Sequence, residues 1–197
     1  MTSILEVEQL DTLSSNASST LTIGGTNTSN VTFKSGVNFS GIIQGITEAD
    51  IWRITADLTG DQTPISSGWE RADTDSQNYI GTGMTESSGV FTFPSTGIYL
   101  VNFYASLINN STGDALIALY ISPTTNDSSF TNGAVSYTSI SSSTYYNNGT
   151  ASFLFDVTNT STHKVQFKAE NIQASTTLEG NTGQNETYAT FIRLGDT

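Results

Sequence analysis

Asp73, Asp75 and Gln77 place oxygen donors at alternate positions along the chain, and oxygen is the ligand that a hard cation such as calcium takes. The stretch lacks the glycine and closing glutamate of an EF-hand, and Asp57 and Asp61 straddle a separate turn, so calcium is weighed but no metal ligands are assigned. Glu70, Asp73, Asp75 and Glu86 are also the acids a glycosidase would draw on. Such an enzyme needs two carboxylates at a set separation in a cleft with aromatic platforms. Acids spread through polar loops are ordinarily solvated charge. Nucleophilic catalysis has less to work with: His163 is the one histidine, cysteine is absent, and no Gly-x-Ser-x-Gly turn projects a serine. The chain reads as non-enzymatic and implies no cofactor.

Binding is better served. Residues 143–149 read as a loop that combines two aromatics with amide side chains, which suits stacking on a sugar ring and hydrogen bonding to its hydroxyls. Tyr145, Tyr146, Asn147 and Asn148 are the candidate surface-recognition residues, with Phe130 and Tyr137 expected nearby. Other partners are disfavoured by charge. Eighteen acidic residues against six basic ones leave a net charge of −12, which repels a phosphate backbone and anionic membrane surfaces alike. No eighteen-residue apolar run offers a transmembrane helix. Ten Asn-x-Ser/Thr sequons follow from a composition rich in these residues and are read as composition, not as glycosylation.

The elements that must position these residues are strands. Serine and threonine supply 59 of the 197 residues, and hydroxyl side chains compete with helical backbone hydrogen bonds. Alternating apolar positions predict strands over 51–56, 65–71, 90–93, 98–108, 115–121, 134–140, 151–157, 165–169 and 188–194. Their spacing is that of a sandwich. The class is all-β, with a head domain over 48–197. Residues 1–47 differ: short apolar pairs, Leu21/Ile23, Val31/Phe33 and Val37/Phe39, alternate with turn residues. Such a segment buries no core alone, but three copies wound together can, so it reads as a short-stranded trimeric stalk or attachment segment.

Residues 91–103, FTFPSTGIYLVNF, carry the most specific signal. Gly97 allows a sharp bend, and Tyr99, Val101 and Phe103 then share one face of a strand. The spacing resembles the signature of the complement-type globular head, the jelly-roll family that includes the tumour-necrosis-factor-like ligands. Met84 stands where that family usually has an aromatic or leucine, and Asn78 lies one residue off the usual asparagine spacing. The resemblance implies a ten-stranded jelly-roll sandwich head, homotrimeric, with the motif's aromatics in or near the trimer core. Phe91, Gly97, Tyr99, Val101, Phe103, Phe153, Phe155, Phe167 and Phe191 are the expected core and trimer-packing residues. The N-terminal segment is similar to phage fibre shafts. An acidic, hydroxyl-rich, all-β chain without an export signal fits a virion protein released by lysis. The expectation is a capsid decoration protein or short head or tail fibre at the virion surface. Its partners would be itself, a capsid or tail protein, and host surface glycan. The alternative is a secreted bacterial adhesin or surface-matrix protein, separable by whether capsid or secretion genes lie beside it.

Overall fold

A computed structural model describes residues 45–141 and 145–197; the segment read as a stalk lies outside them up to residue 44. Twelve strands make up the head: β1 (Ala49–Ile54), β2 (Leu58–Thr59), β3 (Trp69–Arg71), β4 (Thr85–Ser87), β5 (Val90–Thr92) and β6 (Gly97–Asn109) form its first half. Then come β7 (Asp114–Thr124), β8 (Ala134–Ile140), β9 (Tyr145–Val157), β10 (Lys164–Glu170), β11 (Thr176–Leu178) and β12 (Tyr188–Gly195). The expected count of ten is two short of these twelve, and the nine ranges read from the sequence lack the two- and three-residue β2, β4 and β11. Their side chains carry too little alternation to announce a strand, and only pairing with a neighbour defines them. The predicted strand over 65–71 shrinks to β3, because Ile65 leaves the sheet and donates its amide to the Phe167 carbonyl at 2.9 Å.

The strands form two antiparallel sheets. In the larger, β9 pairs along the whole of β6. The opposite edge of β6 is shared by β12 and β11, with β1 and β3 beyond β12 and β2 beyond β11. The smaller sheet runs β4-β5-β10-β7-β8. Thirteen residues of strict alternation explain why β6 is central: every odd-numbered residue from Gly97 to Asn109 is buried and every even one is half-buried.

The inward side chains close an aromatic core. Phe91 sits at its hub, 5.1 Å from Trp69, 5.2 Å from Phe191, 5.5 Å from Phe167 and 5.6 Å from Trp52, mostly edge to face. Phe93 lies 4.7 Å from Tyr99 and 5.6 Å from Phe155, and Phe103 lies 5.0 Å from Phe167. Gly97 adopts φ +144°, and a Cβ there would stand 2.5 Å from the Gly195 carbonyl oxygen, so the bend into β6 admits no side chain. Phe91, Tyr99, Val101, Phe103, Phe155, Phe167 and Phe191 are all buried, and Phe153 is half-buried. They are buried between the two sheets of one chain. The opposite sheet covers them within one chain, so a contact between copies that used these strands would fall to the alternate residues.

The Tyr99 hydroxyl shares a 2.9 Å hydrogen bond with Ser95 Oγ and also donates to the Ser95 carbonyl. Burial pushes its phenol above the ordinary value of 10.0, with the Ser95 hydroxyl bond pulling less strongly the other way. A raised phenol leaves the fold at full strength below pH 10. Above it, the unfolded chain ionises first and stability falls until the folded phenol also titrates. Thermal melts between pH 8 and pH 11.5 are expected to be flat up to about pH 10 and then to decline. Tyr99→Phe should decline less steeply; equal slopes for the two proteins would rule out burial of this phenol as a cause.

Candidate functional site

Four strands of the larger sheet turn their even-spaced side chains outward, and antiparallel register lines these up in rows. Leu154, Leu100, Ile192 and Ala49 stand side by side across β9, β6, β12 and β1. The next row holds Ser152, Asn102, Thr190 and Ile51, in which Ser152 Oγ donates to Asn102 Oδ1 at 2.8 Å and Asn102 Nδ2 donates to Thr190 Oγ1 at 3.1 Å. The third row sets Thr150 beside Tyr104 and Tyr188, whose rings stack 5.1 Å apart at 28°. Leu154 is 61% exposed and Leu194 53%, both on strands of this sheet. The apolar and polar rows are free of charge. Arg53 closes the third row but is 1% exposed, held by Glu70 and Asp73.

The candidate recognition residues do not form a loop. Tyr145, Tyr146, Asn147 and Asn148 belong to β9, which reaches back to residue 145 because β6 offers thirteen partners and not seven. Polar, turn-forming side chains hid this extension; long-range pairing overrides their local preference. Consecutive strand residues face opposite ways, so Tyr146 aligns with Ile108 on the outer face while Tyr145 aligns with Asn109. Both rings are exposed, but they cannot make one platform. Asn147 Nδ2 is already engaged by Thr138 Oγ1 and the Ser139 carbonyl.

The acids singled out for hydrolysis or calcium are committed elsewhere. Asp73 Oδ1 and Glu70 Oε1 accept from Arg53 at 2.9 and 2.8 Å. Asp75 falls in a turn with φ 52°, which ends the extended spacing of the Asp73-x-Asp75 pair. Glu86 accepts from the Gly89 amide at 2.6 Å and fixes the β4–β5 turn. Asp57 and Asp61 accept from the amides of Gly180 and Ile172. His163 bridges Thr158 and Thr162 and stacks on Phe155. Among the described residues, no group of three or more His, Asp or Glu is disposed to hold a metal ion.

Asp50 is a buried carboxylate that sequence reasoning passed over. It accepts from the amides of Ile51 and Met84 and from the Trp52 indole at 2.7–2.9 Å, and Arg71 completes the set at 3.1 Å. Arg71 in turn lies 5.0 Å from the Trp52 ring and 4.4 Å from that of Tyr79. The signal was an aspartate inside the apolar run ADIWRI. These contacts tie β1 to the segment before β4, a structural role.

No family model and no curated protein matches the chain. Solved structures do. Eiger TNF from S. frugiperda is 13% identical with a TM-score of 0.56, covering 78% of this chain and 96% of its own. Murine APRIL at pH 5.0 is 15% identical with a TM-score of 0.54, covering 75% and 98%; at pH 8.5 the values are 13%, 0.52, 75% and 98%. Likeness at this identity concerns the fold alone, and the head has a tumour-necrosis-factor-like jelly-roll fold.

Proposed function

We propose that the chain is a non-enzymatic structural protein of a phage virion, assembled as a homotrimer through the outer face of the larger sheet. The observation that carries the assembly is the pair of uncharged rows, Leu154–Leu100–Ile192–Ala49 and Ser152–Asn102–Thr190–Ile51. Copies each bearing −12 repel unless the surface between them is neutral and apolar enough to repay desolvation. On this reading the N-terminal segment fixes the trimer to a capsid or tail protein, and the jelly roll projects outward as a decoration protein or short fibre that contacts host glycan.

The anchoring role is checked by removing residues 1–47. The remaining head is expected to stay soluble and folded but to be lost from purified particles. Normal incorporation of the truncated head would assign attachment to another part of the chain. A labelled chain seen on intact particles would support the virion reading, whereas its export from bacteria free of phage would support an adhesin.

A further inference from the structure

We propose that the head binds a neutral sugar in a cleft at the open edge of the sandwich, between β9 and the loop joining β7 to β8. The cleft has a volume of about 310 Å³, within the range of small-ligand pockets. Its origin is a mismatch of strand lengths. β8 meets the start of β9, where Thr138 Oγ1 donates to the Asn148 carbonyl. β8 begins only at Ala134, however, so the later part of β9 faces the loop and the end of β7.

Phe153 and Phe155 form the apolar wall, their rings 5.7 Å apart. Phe155 is buried and braced by His163, while Phe153 is only half-buried and turns to the cleft. Gly133 permits this: a Cβ there would stand 2.8 Å from Pro123 Cδ and 3.1 Å from Phe153 Cε2. A polar rim completes the lining. Asn126 Oδ1 accepts from Thr124 Oγ1 and from the amides of Ser128 and Ser129, at 2.9, 3.1 and 2.8 Å. With its oxygen so held, the amide plane is set, and Nδ2 has no hydrogen-bond partner among the described residues. The hydroxyls of Thr125, Ser129 and Thr131 line the same rim.

The chemistry selects the ligand class. An aromatic face suits the C–H face of a pyranose, and a fixed amide with three hydroxyls supplies both donors and acceptors for its hydroxyl groups. Among the described residues no charged side chain lines the cleft, and the neighbouring Asp127 is paired with Lys164 at 2.5 Å. A cation finds no carboxylate in the lining and an anion meets a chain of net charge −12, which favours a neutral ligand; the aromatic wall and polar rim make a saccharide the class that fits. The site deepens the display role proposed above and moves it from Tyr145 and Tyr146 to Phe153 and Asn126.

The test is aromatic and amide NMR of the full chain titrated with methyl glycosides of glucose, galactose and mannose and with N-acetylglucosamine. At least one is expected to shift the Phe153 ring and Asn126 side-chain signals with a millimolar dissociation constant. Asn126→Asp keeps the oxygen that holds the turn and removes the donor; Phe153→Leu keeps apolar bulk and removes the ring. Each should weaken binding tenfold or more while the melting temperature stays close to that of the parent. Absence of shifts with all four sugars, shifts confined to Tyr145 and Tyr146, or undiminished binding by both variants would overturn the site. Light scattering on the same samples reports assembly separately, so failure of the trimer and failure of the sugar site are distinguishable.

Discussion

Phe91→Ala is expected to cost the head about 3–5 kcal/mol, the range for deleting a core aromatic that leaves a cavity. Phe91 is fully buried and touches four other aromatic rings drawn from both sheets: Trp52 and Phe191 on one side, Trp69 at the sheet edge and Phe167 on the other. Removing the ring strips one partner from each of those contacts at once, and rigid strands on both sides limit collapse into the space. Chemical denaturation measures the loss. Tyr137, 63% exposed on β8, supplies the contrast: Tyr137→Ala should change stability by no more than about 0.5 kcal/mol. Equal effects at the two positions would contradict the placement of the core.

Replacing Leu100 and Leu154 together by arginine is expected to turn a particle of about three times 21.0 kDa into a folded monomer of 21.0 kDa. The two leucines are cross-strand neighbours in the apolar outer row, so the change sets two like charges where copies must lose water. Neither side chain enters the sandwich core, and circular dichroism should be unaltered. Leu116→Arg is the control, since Leu116 is 49% exposed on the smaller sheet. Light scattering decides: an unchanged mass for the double variant would place assembly on another surface, and dissociation by the control would make the effect one of general charge.

Much of the head was legible as sequence because strand formation is written locally. The alternation of Tyr99, Val101 and Phe103, the glycine at the bend, and the repeats at Phe153/Phe155 and Val165/Phe167 declare strands through a two-residue period that pleating imposes on any chain. Fold class, most strands and the buried aromatics follow from that. Which of two apolar faces turns inward does not. In β6 the odd set, with Tyr99 and Phe103, alternates with an even set that includes Ile98, Leu100, Tyr104 and Ile108, and period alone cannot rank them. The smaller sheet makes that choice by covering one face, which leaves the other turned outward. The first residues of β9 were equally hidden, since Asn147, Asn148 and Gly149 favour turns and become strand only because β6 is long enough to pair with them. The cleft beside Phe153 exists only where β8 stops short of β9. Strand identity is a property of neighbouring residues, but strand length, facing and edges are settled by partners far away in the chain, and the candidate sites lie at those edges and faces.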